Sequence, residues 1–167
     1  LVDLIKIKTN LPMIKEASRV IKPKFKFNTF DELISDKELL GAFQLDILRT
    51  QINEENKYLN FISDRTTLDN FVYYEYNTAD CVEIVNTYKT LAINHYINGY
   101  DYIIYVPIMF GIEDDGERNT DIKYQKDIDD NVKRYLNLNK NVLTLTTLDI
   151  EDRIKEVMEF INKRRVI

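Results

Sequence analysis

Tyr58-Leu59-Asn60-Phe61-Ile62-Ser63-Asp64-Arg65-Thr66-Thr67-Leu68-Asp69 is the stretch on which the reading of this chain turns. An apolar run from Tyr58 to Ile62 gives way to an acid and a base, and a helical pattern begins at Thr67. A carboxylate and a guanidinium placed where a buried strand becomes a helix lie at the edge where open α/β sheets bind ligands. Three further strands are predicted around it, at Leu11-Pro12-Met13-Ile14, at Tyr100 to Pro107 and at Val142 to Thr146. The second of these is rich in β-branched and aromatic residues and is ended by its proline.

Helices fill the intervals. Leu1, Leu4, Ile5 and Ile7 recur near helical spacing, closed by a turn at Thr9-Asn10. From Lys37 through Asn53 the apolar positions Leu39, Leu40, Phe43, Ile47, Leu48 and Ile52 are helical, and Gln44 and Gln51, seven apart, share a face. Further helices are expected from Thr67 to about Tyr76, from Asp80 to Asn98 with Gly99 as the stop, from about Asp121 to Leu136, and after a cap at Asp149. Alternation of this kind predicts parallel strands joined by right-handed crossovers. A chain that opens on a helix and holds four strands is expected to have a first strand ahead of Leu1.

At 167 residues and 44% hydrophobic, the chain is expected to form one domain over residues 1–167. A formal net charge of −5 argues against a large electrostatic footprint for duplex nucleic acid. Its apolar runs are too short and too interrupted by charge to span a bilayer, so no membrane partner is expected. Cys81, the single cysteine, has no partner for an internal disulfide, which suits a cytoplasmic location. A homodimer is compatible with all of this.

In their order and placement these motifs resemble those of thymidylate kinase-like and deoxynucleoside kinase-like proteins, and of small bacterial and phage ATP-binding domains. The matching residues are Leu1 to Lys6 as the continuation of a phosphate-loop helix, Glu16-Ala17-Ser18-Arg19, Gln44 through Gln51, Asp64-Arg65, and Val106-Pro107 leading to Asp114-Asp115-Gly116-Glu117-Arg118. The resemblance implies a P-loop kinase-like three-layer sandwich on a mainly parallel sheet, with a lid-like segment at about 109–138. It also implies ATP- and Mg2+-dependent phosphoryl transfer to a nucleoside or (deoxy)nucleoside monophosphate. The alternative is a nucleotide-binding regulatory or interaction module without transfer. No GxxxxGK[ST] loop occurs in these residues, so the ATP site is expected ahead of Leu1, facing Asp64 and Arg65 across one cleft.

Phosphoryl transfer asks a protein to hold phosphates in line, screen their charge and exclude water. Asp64 is expected to hold magnesium through water or to take the proton of an attacking hydroxyl; the competing role is a helix cap. Arg65 and Arg19 carry planar forks suited to phosphate, or else Arg19 pairs with Glu16 and Arg65 lies on the surface. Asp69 either orients Arg65 or is a solvated acid. Gln44, and less so Gln51, can read a base edge, because an amide sets a donor beside an acceptor. Tyr74, with Tyr73, lines a substrate pocket or flanks the core. Arg118 closes over the transferring group from the lid, assisted by Lys123 or Lys126, or sits in a solvated loop. Lys22 to Phe27 alternates lysine with aromatics, and His95 is expected to be structural or exposed.

Overall fold

The computed structural model describes residues 1–78, 82–109 and 121–164. Helix α1 (Val2–Thr9) ends where Asn10 turns left-handed at φ 55°, its amide bonding back to the Lys6 carbonyl. Asparagine tolerates that conformation, and it stops the helix. Strand β1 (Met13–Ile14) follows, then α2 (Ala17–Ile21) and a 3-10 turn over Lys22–Lys24. Helix α3 (Phe30–Ser35) starts on Thr29, whose hydroxyl accepts from the Glu32 amide, and α4 (Lys37–Glu55) on Asp36, whose carboxylate accepts from the Leu39 amide. Strand β2 (Ile62–Ser63), α5 (Thr67–Asn77), α6 (Val82–Asn98), β3 (Ile103–Tyr105), α7 (Ile122–Leu136), β4 (Val142–Thr144) and α8 (Ile150–Arg164) complete the order.

Strand β1 pairs parallel with β2, Met13 opposite Ile62, and β3 pairs parallel with β4, Ile103 opposite Val142. The expected three-layer P-loop kinase-like sandwich on a mainly parallel sheet is corrected here. The molecule is 65% helical, and its strands form two separate two-stranded sheets. Each strand is only two or three residues long, so helix packing, not a sheet, provides most of the buried surface. The edges of β2 and β3 turned away from their partners border the same cavity.

Three apolar clusters hold these elements. The largest joins Leu48 of α4, Phe71 and Val72 of α5, Ala92 and Tyr96 of α6, Ile103 of β3 and Ile128 of α7. A second sets Ala17 and Ile21 of α2 and Leu33 of α3 against Leu40, Phe43 and Ile47 of α4. Phe25 and Phe27 each meet the Phe43 ring edge-on at 5.2 and 5.3 Å. The Lys22 to Phe27 alternation therefore spends its aromatics on the core. The third cluster joins Ile5 of α1, Leu145 and Val157, with Ile62 and Ile104 packed against it.

Tyr74 is 3% exposed, stacks on Tyr88 at 4.4 Å and belongs to the first cluster. Its expected place in a substrate pocket is thus corrected, and its neighbour Tyr73 lines the cavity instead. The two tyrosines sit about 100° apart around α5, so one faces inward when the other faces out. Within the segment expected to form a lid, α7 packs on α5, with Tyr124 edge-on to Tyr76 at 5.2 Å and hydrogen-bonded by the Asn77 amide. Arg118 lies outside the described residues, as does Cys81. Among the described residues no helix is long and apolar enough to cross a membrane.

Candidate functional site

Strand β2 delivers Asp64 and Arg65 to the end of the sheet, with the Asp64 amide donating to the Ile14 carbonyl at 2.9 Å. The chain then turns sharply. Arg65 has φ 88°, a conformation that costs a side-chain-bearing residue about 1–3 kcal/mol and concentrates at functional sites. Helix α5 begins at once, through a reciprocal cap in which the Thr66 amide and hydroxyl both donate to Asp69 Oδ2 at 2.8 Å. The other Asp69 oxygen accepts from Arg65 Nη1 at 3.2 Å. Asp69 thus starts the helix and orients the guanidinium with one carboxylate.

Glu16, ahead of α2, reaches both arginines: Arg19 Nε donates to Oε2 at 3.1 Å, and Arg65 Nε lies 3.8 Å from Oε1. Helices α2 and α5 therefore converge on one charged cluster of two arginines and three acids. Arg65 is about one-third exposed and Arg19 about half, so both guanidinium groups keep a face open to a ligand. Burial alone would lower Arg65, but Asp69, Tyr73 and Glu16 outweigh it and hold the guanidinium above its ordinary value. For Asp64, burial is the leading influence and raises the carboxyl above 3.8; Arg65 opposes this, while Glu16 and Asp69 reinforce it.

This cluster lines an open cavity of about 1420 Å³, which Leu1 and Val2 at the start of α1 also border. Another wall carries Phe27, Phe30, Phe43, Tyr73 and Tyr124. Gln44 lies among them, 6% exposed. Its backbone carbonyl accepts from the Tyr88 hydroxyl at 3.2 Å, yet its side-chain amide has no hydrogen-bond partner among the described residues. A buried amide without a partner costs about 1–3 kcal/mol. The cavity thus combines flat aromatic surface, an unspent donor and acceptor, and two guanidinium groups.

Gln51 does not join it. One turn beyond the cavity wall, it is 1% exposed and donates to the Arg65 carbonyl and to Glu55 Oε1, each at 3.0 Å. Glu55, also 1% exposed, accepts from Ser63, from Tyr100 and from Gln51, and meets His95 Nε2 at 2.7 Å. The sequence reading missed Glu55 and Tyr100. The available signal was an acid four residues after Gln51 on the same helix face, within an otherwise apolar stripe. His95 takes a structural place beside Glu55. Lys123 pairs with Asp127 at 2.7 Å on the solvent face of α7 and does not line the cavity, nor does Lys126.

Among the described residues no three acid, histidine or cysteine side chains are gathered as a metal cage. Magnesium is commonly held by one or two carboxylates together with substrate phosphates. Asp64, with Glu16 nearby, fits that lesser requirement. Comparison with protein-family models, curated proteins and solved structures finds no match for this chain, so its chemistry is read from its own residues.

Proposed function

We propose that the cavity binds a nucleoside or nucleoside monophosphate as the acceptor in a phosphoryl transfer, in a cytoplasmic protein. The observation that carries this reading is the Gln44 amide, buried and unpaired on an aromatic wall of the cavity that Arg65 and Arg19 also line. A planar base is the ligand that uses stacking surface and a paired donor and acceptor together. A phosphate is the group that uses the planar forks of arginine.

In this reading Gln44 recognises the base edge, Tyr73 and Phe43 flank the ring, and Arg65 and Arg19 hold the acceptor's phosphate when it has one. Asp69 and Glu16 hold the two guanidinium groups in place. Asp64, its carboxyl raised by burial, takes the proton from the attacking hydroxyl and is the carboxylate for a water-bridged magnesium. ATP would supply the transferred phosphoryl group. The sequence offers no GxxxxGK[ST] cradle for it, and no step is derived through it.

Calorimetric titration with nucleosides and their monophosphates tests the binding, and mass spectrometry after incubation with ATP and magnesium tests the transfer. Saturable acceptor binding that Gln44→Leu weakens supports the reading, and a product heavier by one phosphoryl group establishes the reaction. Binding without product selects the nucleotide-binding module. No binding by any member of either series overturns the proposal.

A further inference from the structure

The backbone at Arg65 poses a question that the charged cluster does not answer. A positive φ on a side-chain-bearing residue persists only where its surroundings over-determine it, and Asp69 restrains only the guanidinium end. The main-chain restraint comes from behind the site. Gln51 Nε2 donates to the Arg65 carbonyl at 3.0 Å, and the next peptide is held as well, because the Thr67 amide donates to the Tyr100 hydroxyl at 3.1 Å.

The orientation of the Gln51 amide is unambiguous. Glu55 can only accept as a carboxylate, so the NH2 group must face it. The two protons of that group then serve Glu55 Oε1 and the Arg65 carbonyl, while Gln51 Oε1 accepts from Asn70 at 2.6 Å. Glu55 is itself held by Ser63, Tyr100 and His95, drawn from β2, from the approach to β3, and from α6. Every element around the turn thereby fixes one amide.

We propose that Gln51 is a positioning residue: from this buried network it holds the Arg65 backbone at positive φ, aims the guanidinium into the cavity, and so sets the preference for phosphorylated over unphosphorylated ligands. This rests on the reading of Arg65 as a phosphate clamp. Gln51 touches no ligand in it. Glutamine is specific to the task, because methionine has the length but no donor, and glutamate would set an acceptor against two acceptors.

The test compares a nucleoside monophosphate with its parent nucleoside in calorimetry on the intact protein, as wild type, Gln51→Met, Asn70→Ala and Arg65→Ala, with the Gln51→Met/Arg65→Ala double variant. Asn70→Ala is included because it frees the amide from its far side without opening the core. In Gln51→Met and Asn70→Ala, monophosphate affinity is expected to fall about ten-fold or more, the worth of one charge-assisted hydrogen bond. Nucleoside affinity should stay within two-fold, roughly the limit for an independent site. In the double variant Gln51→Met should add nothing to Arg65→Ala.

A general loss of packing would weaken both ligands together, and that result overturns the proposal. Unchanged discrimination in both single variants overturns it too. A crystal structure of Gln51→Met supplies a readout independent of ligand: relaxation of Arg65 to negative φ supports the proposal, and retention of φ near 88° with the guanidinium still on Asp69 refutes it. Should wild type fail to prefer the monophosphate, the clamp reading of Arg65 falls, and the backbone readout alone decides what Gln51 holds.

Discussion

Replacing Glu55 by alanine removes the acceptor on which four donors converge: the hydroxyls of Ser63 and Tyr100, the amide of Gln51 and the ring of His95. Glu55 is 1% exposed, so water cannot replace it without opening the structure between α4 and α6. Breaking a buried charged network from one side costs about 3–5 kcal/mol, because the remaining groups stay desolvated. Total stability for a domain is about 5–15 kcal/mol, so the loss consumes a large part of it. At roughly 2–4 °C per kcal/mol for a chain of this length, the midpoint should drop by about 6–20 °C. Glu55→Gln keeps one acceptor and the side-chain volume, and should cost about 1–2 kcal/mol. Urea unfolding followed by far-ultraviolet circular dichroism measures both, with the slope confirming that the same surface is exposed. Glu55→Ala within about 0.5 kcal/mol of wild type would refute the argument, as would a glutamine variant no better than alanine.

Gln44→Leu should leave stability unchanged or raise it by up to about 1 kcal/mol, since it removes an unpaired buried amide, while nucleoside affinity falls about ten-fold; urea melts and calorimetry read the two halves. Asp64→Asn follows from a sign. The folded carboxyl lies above its ordinary 3.8, so its full contribution is present below that value and is lost as pH rises through the folded value. At pH 7 the ionised form carries the whole penalty, and because Asp64 is exposed the asparagine variant should gain at most about 0.5 kcal/mol, with transfer abolished and the gain vanishing near pH 3. Phe43→Ala removes the ring on which Phe25 and Phe27 both pack and should cost about 3–5 kcal/mol in the same melts. Asn10→Val forces a β-branched residue into the left-handed stop of α1 and should cost about 1–2 kcal/mol.

Much of the chain's local order was legible in its residues. The run Leu39 to Ile52 announced α4, Asp149 announced the cap of α8, and its carboxylate does accept the Glu151 and Asp152 amides. Asp64-Arg65 was readable as a turn from strand to helix because apolar alternation, an acid-base pair and a helical pattern follow one another within a dozen residues. Such signals depend on neighbours in sequence. The placement of Gln44 and Gln51 did not: seven residues apart and on one face, one lines the cavity and the other lies wholly inside.

What the sequence by itself determined is the succession of helices and short strands, their caps, and the chemical types gathered near Arg65, since each follows from periodicity and hydrogen bonding within a few residues. Only the tertiary structure decided that the strands pair two by two rather than in one sheet, that Tyr73 rather than Tyr74 meets the cavity, and that Glu55 and Tyr100 stand behind Arg65. Those outcomes depend on contacts between residues up to 49 apart in the chain, and long-range packing selects among faces that local pattern leaves equivalent.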